Sequence, residues 1–138
     1  MTFQNPQQDV IKGYLADAKN IAVVGLSDNP DKTSYRIAAL LQDHGYKVFP
    51  VNPTKVGQTI LGEPVVAKLT DLTEPIDVVD IFRRSEFLPA VAEEFIQTNA
   101  KVFWAQLGLE NDEAAAILAN AGRHDVVMNR CIKIELAR

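Results

Sequence analysis

The order of apolar and polar positions along the chain predicts strands that alternate with helices. Short, mainly apolar runs are typical of strands that are buried on both faces of a parallel sheet. These runs lie at residues 21–26, 46–51, 76–82, 101–106 and 125–128. Apolar residues at helical spacing indicate amphipathic helices between them. These helical segments lie at residues 10–18, 34–44, 85–99 and 111–121, and a last short helix is expected within 129–138.

Local signals place several boundaries of these elements. The segment Asn5-Pro6-Gln7-Gln8 is typical of an N-cap, a first-turn proline and a capping-box glutamine, which predicts that the first helix begins after Asn5. Gly45 is predicted to end the second helix, and Asn111 to cap the fourth. Residues 56–73 alternate only weakly and contain glycines and a proline. A loop with a short ribbon and one helical turn is expected there.

Strands that alternate with helices imply a parallel sheet with helices on both faces. The predicted fold class is α/β, a Rossmann-like three-layer α/β/α sandwich with a five-stranded parallel sheet and an extra N-terminal helix. The 138 residues contain no repeat or linker, so residues 1–138 are expected to form a single domain. In such sheets ligands bind at the carboxyl ends of the strands, near the point where the strand order reverses.

Composition narrows the classes of function. No apolar run approaches the ~20 residues of a membrane span, and the first residues lack the features of an export signal, so no membrane partner and a cytoplasmic location are expected. The single cysteine, Cys131, fits a reducing compartment. A net charge of −4 argues against nucleic acid as a partner. A homodimer would be favoured by an uncovered sheet edge or apolar face.

The sequence offers no visible machinery for catalysis. No metal-ligand spacing and no Ser/His/Asp arrangement is evident, and His44 and His124 are interpreted as structural. Metal ligands and catalytic residues are therefore not predicted. Cys131 is interpreted either as a half-buried structural residue or as a thiol that forms a mixed disulfide with a bound cofactor.

The loop after the first strand is the strongest candidate for a binding site. Gly25-Leu26-Ser27-Asp28-Asn29-Pro30 leads into a helix whose free N–H groups and positive dipole end favour an anion. Gly25 would let a ligand approach the backbone, so Gly25→Val is expected to block the ligand and leave the fold largely intact. The alternative is a tight strand-to-helix turn without a ligand.

The chemistry around this loop disfavours NAD. The fingerprint G-x-G-x-x-G is absent, and the second strand ends in Asn52, Pro53 and Lys55 where an acidic residue would bind a ribose 2′-hydroxyl. Arg36 lies in the first turns of the following helix, where a cation is unfavourable unless an anion compensates it. Two adjacent arginines, Arg83 and Arg84, can form bidentate phosphate contacts. Turn formation and solvated charges are the alternatives for these residues.

Five segments, one at the end of each predicted strand, carry a resemblance to a known family. They are Gly25-Leu26-Ser27, Val51-Asn52-Pro53, Phe82-Arg83-Arg84, Trp104-Ala105-Gln106-Leu107-Gly108 and Val127-Met128-Asn129-Arg130-Cys131. In this order they resemble the small stand-alone CoA-binding proteins, which are similar to the CoA-binding domain of succinyl-CoA synthetase α subunits and of ADP-forming acyl-CoA synthetases. The resemblance covers nearly the whole chain. Asn129 departs from it, because the family usually has Asp there, and a charge-dependent role is not carried over.

The resemblance implies that the cofactor is coenzyme A. It implies that Val51 and Pro53 pack against adenine, that Lys55 meets the ribose phosphate, and that Gln106 and Gly108 lie along the pantetheine arm, whereas Trp104 is expected in the core. The full set of candidate cofactor-binding residues comes from the five loops and the second helix. They are Gly25, Ser27, Ser34, Arg36, Val51, Asn52, Pro53, Lys55, Arg83, Arg84, Gln106 and Gly108.

The predicted function is binding of CoA or acyl-CoA through the strand–loop–helix phosphate site, without catalysis by this chain. The alternatives are an NAD(P)-linked reductase and a subunit of an acyl-CoA-processing enzyme that needs a catalytic partner. The absent G-x-G-x-x-G motif argues against the reductase.

Overall fold

The computed structural model describes residues 3–138. The helices and strands follow one another in the predicted order. They are α1 (Gln8–Asp17), β1 (Asn20–Val24), α2 (Thr33–Asp43), β2 (Lys47–Val51), β3 (Thr59–Ile60), β4 (Glu63–Pro64), β5 (Val78–Ile81), α3 (Leu88–Phe95), β6 (Val102–Ala105), α4 (Asp112–Asn120), β7 (Val126–Val127) and α5 (Ile132–Leu136). Residues 56–73 contain the β3–β4 ribbon and a 3₁₀ turn at Leu69–Asp71. The predicted ribbon and helical turn are confirmed.

The main sheet has five parallel strands in the order β2-β1-β5-β6-β7. From β1 the chain moves outward to β2 and then returns to place β5 on the other side of β1. The strand order therefore reverses between β1 and β5, and this is the topological switch point at which doubly wound sheets bind ligands. The loops that begin at Gly25 and Phe82 flank it.

Two apolar cores cover the two faces of the sheet, which confirms the three-layer architecture. Helices α1, α2 and α5 pack on one face, and α3 and α4 pack on the other. Successive strand residues point to opposite faces, so Phe103 and Trp104 of β6 enter different cores. Trp104 is fully buried, and its indole Nε1 donates a hydrogen bond to the carbonyl of Arg130 at 2.9 Å. The predicted core position of Trp104 is confirmed.

The predicted capping role of Asn5 is wrong. Helix α1 begins at Gln8 with Gln7 at the N-cap position and without a side-chain cap. The Asn5 side chain instead pairs with the backbone of Met128: its Nδ2 donates to the Met128 carbonyl, and its Oδ1 accepts from the Met128 N–H, both at 2.8 Å. An amide side chain carries an N–H donor group and a carbonyl acceptor, as a strand backbone does, so Asn5 pairs with the Met128 backbone and not with the start of α1.

This pairing covers part of an outer edge of the sheet. Met128 directly follows β7, the last strand in the sheet order, and outer strands present backbone groups that can pair with another chain. Because Asn5 occupies the N–H and the carbonyl of Met128, these two groups are not free to pair with a second copy of the protein.

We expect Asn5→Ala to lower the free energy of unfolding by about 1–3 kcal/mol, because it leaves two backbone groups without their partner. Urea unfolding measures the change. Gln4→Ala, at an exposed neighbouring position, is the matched control and is expected to lie within ~0.5 kcal/mol of the parent protein. Equal stabilities of the two variants would show that the Asn5 pairing contributes nothing.

Candidate functional site at the carboxyl edge of the sheet

The loops after β1 and β2 are tied together by side-chain and backbone hydrogen bonds. The Gly25 N–H donates to the carbonyl of Val51 at 2.8 Å, and Asn52 Nδ2 donates to the carbonyl of Leu26 at 2.9 Å. Asn52 Oδ1 accepts from the N–H of Thr54 at 2.9 Å and from its Oγ1 at 2.7 Å. Asn52 therefore serves as a turn-forming residue whose amide is engaged by the protein itself.

The loop between β1 and α2 is held by its own polar side chains. Ser34 Oγ accepts from the N–H of Ser27 at 3.0 Å, and Ser27 Oγ accepts from the N–H of Asn29 at 3.0 Å. Asn29 Oδ1 accepts from the N–H of Asp31 at 2.9 Å. These amides are thus engaged within the loop, and the buried Ser34 is a tether between loop and helix rather than an N-cap.

The first turn of α2 has the open backbone donors that an anion requires. Lys32 at the N-cap position is extended, makes no side-chain cap, and the first turn carries no acidic residue. The first N–H groups of an α-helix have no intrahelical acceptor, and the helix dipole adds positive potential there. Arg36 lies exposed at the start of the same helix. The arrangement suits a phosphate group.

Lys55 extends over the β1 loop from the β2 loop. Its Nζ lies 3.3 Å from Oδ2 of Asp28, and both side chains are partly exposed. Val51 and Pro53, which the resemblance assigns to adenine, differ: Val51 is 2% exposed and belongs to the core, whereas Pro53 is exposed. The Val51 side chain is therefore packed in the core that covers one face of the sheet. Pro53 is the apolar residue of this pair that a ligand could contact.

Gly25 is required by the packing of β1 against β5. Its φ is +83°, and a Cβ at this position would overlap the carbonyl oxygen of Phe82 and lie 3.1 Å from its carbonyl carbon. The space into which a side chain at Gly25 would project is filled by the backbone of Phe82, the residue that follows β5. The positive φ and this close contact argue against the expectation that Gly25→Val leaves the fold largely intact, and they favour the tight-turn interpretation of the glycine.

The two arginines after β5 occupy different places. The guanidinium of Arg83 lies over the ring of Phe87, 4.9 Å from its centroid, and the Arg83 stem lies beside Gly25. The Arg84 side chain is 83% exposed and lies 3.9 Å from the Glu86 carboxylate. Arg83 is thus the arginine at the switch point, and Arg84 is a solvated charge.

Gln106 and Gly108 form a separate group on the β6–β7 side of the edge. Gln106 is 5% exposed, and its Oε1 accepts from the N–H of Ile132, the first residue of α5, at 3.0 Å. Gly108, with φ +86°, donates its N–H to Oδ1 of Asn129 at 2.7 Å. Asn129 itself has φ +59°, a conformation that Asn tolerates well. Because an Asp oxygen would accept the same bond, this contact requires an acceptor and not a charge.

Sequence reasoning missed three residues at this edge. Asp28 is the partner of Lys55, and Phe87 and Leu107 are large apolar side chains that are 42% and 62% exposed. Opposite charges in loops after neighbouring strands were a signal for the ion pair. The sequence held no signal for the exposure of Phe87 and Leu107, since both lie close to apolar runs that predict burial.

Two cavities lie away from this edge. They have volumes of about 420 Å³ and 450 Å³ and are lined by residues that precede β5, β6 and β7, at the amino ends of the strands. No candidate residue from the sequence lines them. Position at the switch point and cationic character favour the open carboxyl edge as the ligand site over these cavities.

Asp80 is a buried carboxyl group beneath the switch point. It lies in β5 between Val23 and Trp104 of the neighbouring strands, is completely buried, and neither of its side-chain oxygens has a hydrogen-bond partner. Burial raises the pKa of Asp80 well above its ordinary value, because the charged form loses its hydration. Cys131, at the N-cap position of α5, is half-buried against the core of α1, α2 and α5.

Residues 3–138 contain no group of His, Cys, Asp and Glu side chains arranged to hold a metal ion. Within the same part of the chain, none of the helices has the length and apolar character needed to cross a membrane.

Comparison with known proteins identifies the family. The family model described as the CoA binding domain matches residues 19–137. The chain belongs to this family of CoA-binding domains. YneT of Bacillus subtilis (strain 168) is 52% identical over 131 residues, which cover 95% of this chain and 95% of YneT.

Two further similarities concern a ligase subunit and a solved structure. The α subunit of the ADP-forming acetate–CoA ligase I of Pyrococcus furiosus is 29% identical over 119 residues, which cover 79% of this chain and only 26% of that subunit. The structure of cell-free ID.343 from Thermus thermophilus superposes with a TM-score of 0.91 at 34% identity, covering 96% of this chain and 98% of that one. The resemblance to CoA-binding domains and the Rossmann-like fold are confirmed.

Proposed function

We propose that the protein binds coenzyme A or an acyl-CoA at the carboxyl edge of the sheet, in the cytoplasm and without a reaction of its own. The observation that carries this proposal is the uncapped first turn of α2 beside the switch point, in a chain of the CoA-binding-domain family. The net charge of the protein is −4, yet four cationic residues lie at the start of α2 and in the loops after β2 and β5. They are Lys32, Arg36, Lys55 and Arg83.

In the proposed complex, the pyrophosphate of CoA lies at the first turn of α2, where backbone N–H groups and Arg36 compensate its charge. Lys55, in the loop after β2, meets the 3′-phosphate of the ribose, and the exposed Pro53 supports adenine. The pantetheine arm runs across the switch point towards Gly108, along the exposed Leu107. Gln106 then acts by holding α5 in place, because its Oε1 is engaged by Ile132.

The chemistry after β2 supports CoA over NAD. An NAD site places an acidic residue there to bind the ribose 2′-hydroxyl, whereas this loop offers Asn52 and Lys55. The Asn52 amide is already engaged by Leu26 and Thr54. Lys55 is the side chain that can select a phosphorylated ribose.

We expect CoA to bind about tenfold more tightly than dephospho-CoA, because loss of the 3′-phosphate removes one charge-assisted contact of ~1.5–3 kcal/mol. NAD is expected to bind more weakly than either. Isothermal titration calorimetry measures all three dissociation constants, and native mass spectrometry of the freshly purified protein detects a CoA-sized bound mass.

The variant Lys55→Gln is expected to remove the preference for CoA over dephospho-CoA, whereas Lys12→Gln, an equal charge change on α1, is expected to retain it. If the parent protein bound CoA and dephospho-CoA equally, Lys55 would not meet the 3′-phosphate. Tighter binding of NAD than of CoA would contradict the proposed ligand.

A second candidate function follows from the ligase relatives. The aligned part of this chain spans 26% of the Pyrococcus furiosus ligase subunit, so a segment similar to this chain also occurs within a longer ligase subunit. Under this candidate, the protein supplies CoA to a catalytic partner and copurifies with it in fixed stoichiometry. A purified chain that retains CoA but elutes alone favours the stand-alone binding function.

A further inference from the structure

The ion pair between Lys55 and Asp28 joins the two loops in which the proposed ligand would lie. Lys55 Nζ and Asp28 Oδ2 are 3.3 Å apart, and the side chains are 32% and 44% exposed. The Lys55 N–H also donates to the carbonyl of Asn52 at 3.1 Å, which fixes the start of its side chain. In the free protein, therefore, the cation assigned to the 3′-phosphate already has an anionic partner.

Asp28 is held in the centre of the structured β1 loop. The neighbouring N–H groups of Ser27 and Asn29 both donate to serine hydroxyls at 3.0 Å, so the backbone on each side of Asp28 is anchored. A carboxylate fixed in this way cannot withdraw far when a second anion arrives. It competes with that anion for Lys55, and afterwards it remains close enough to repel it.

Partly exposed ion pairs contribute little to stability, so a phosphate dianion is able to take Lys55 from Asp28. A ligand without a 3′-phosphate does not compete with Asp28 for Lys55. The pair therefore lowers the affinity for the phosphorylated ligand more than it lowers the affinity for the unphosphorylated one.

We propose that Asp28 is a specificity-determining residue that occupies Lys55 in the free protein and must release it when the 3′-phosphate of a CoA-type ligand binds. This inference rests on the proposed function, since it concerns the same site. It adds that Asp28 makes CoA bind more weakly than it would if Lys55 were unpaired in the free protein. This weakening acts mainly on ligands that carry a 3′-phosphate.

The test compares Asp28→Asn with Asp31→Asn. Both variants remove one negative charge from the same loop, and the backbone N–H of Asp31, not its carboxylate, makes the loop hydrogen bond. Calorimetric titration with CoA and with dephospho-CoA gives the affinity ratio of the two ligands for each protein. We expect Asp28→Asn to raise this ratio about threefold to tenfold and to tighten CoA binding, and Asp31→Asn to leave the ratio unchanged.

A second background makes the test specific. In Lys55→Gln, the further change Asp28→Asn is expected to raise the ratio by less than it does in the parent protein, because only the direct repulsion between Asp28 and the phosphate is left to remove. A ratio that rises equally in Asp28→Asn and Asp31→Asn, or that Asp28→Asn raises by the same factor with and without Lys55, overturns the role of Asp28 and leaves CoA binding intact. A parent protein that binds neither ligand overturns the proposed function and this inference with it.

Discussion

Replacing Gly25 with alanine is expected to destabilise the protein by about 2–5 kcal/mol. The left-handed backbone conformation at φ +83° costs an L-residue about 1–2 kcal/mol. The added Cβ would also overlap the carbonyl oxygen of Phe82, and overpacking of this kind costs about 1–3 kcal/mol more. Urea unfolding followed by circular dichroism measures the loss.

Gly45→Ala separates the cost of the left-handed backbone conformation from the cost of the overlap with Phe82. Gly45 has φ +94°, but a Cβ there would meet nothing within 4 Å, so only the conformational cost applies. The difference between the two variants reports the contact between position 25 and the backbone carbonyl of Phe82. If Gly25→Ala were no less stable than Gly45→Ala, the approach of β1 to Phe82 would not be the reason for the glycine.

Asp80→Asn is expected to stabilise the protein at neutral pH and to remove a pH dependence from it. The folded protein keeps Asp80 protonated above the ordinary carboxyl pKa of 3.8, whereas the unfolded chain releases the proton. The unfolded state then binds fewer protons than the folded state, so stability falls as the pH rises from 3.8 towards the raised pKa. Relative to the Asn variant, the parent protein loses up to about 1.4 kcal/mol per pH unit over this window.

Chemical unfolding of the parent protein and of Asp80→Asn at pH 4, 5.5 and 7 tests whether Asp80 makes stability fall as the pH rises. Asp77→Asn is the matched control in the same region of the chain. Burial acts to raise the pKa of Asp77, but hydrogen bonds from the Asn20 and Lys19 backbone and the charge of Lys101 outweigh it and lower the pKa. Asp77 therefore stabilises the fold above its ordinary pKa, and this contribution is lost as the pH falls. Parallel stability curves for the parent protein and Asp80→Asn would contradict a protonated Asp80.

Much of the architecture was accessible from apolar spacing. A parallel strand is buried on both faces and gives a continuous apolar run, whereas a surface helix is buried on one face and gives apolar residues at helical spacing. These two patterns distinguish strands from helices along the chain. Even the weakly patterned segment 56–73 forms the ribbon and the 3₁₀ turn that its turn residues predict. The burial of Asp80 was not accessible, because a charged residue in a strand gives no indication of whether a helix will cover it.

From the sequence, the candidate site could be predicted only as a set of loops. The sequence places Ser27, Lys55 and Arg83 after three different strands, and the fold brings their loops to one edge. Which atoms are free there depends on contacts between segments distant along the chain. Asn52, Ser34 and Gln106 use their polar atoms to hold loops and helices, and Asp28 engages Lys55.

The sequence by itself determined the α/β class, the order of the elements, the loops at the carboxyl edge and the family resemblance, because these depend on local spacing and on short motifs. The tertiary structure alone decided that Asn5 pairs with Met128, that Gly25 faces Phe82 and that Val51 lies in the core. The physical reason is that each hydrogen-bonding group has several possible partners along a chain, and each side chain has several possible packing neighbours. Folding selects among them by the satisfaction of every buried group at once.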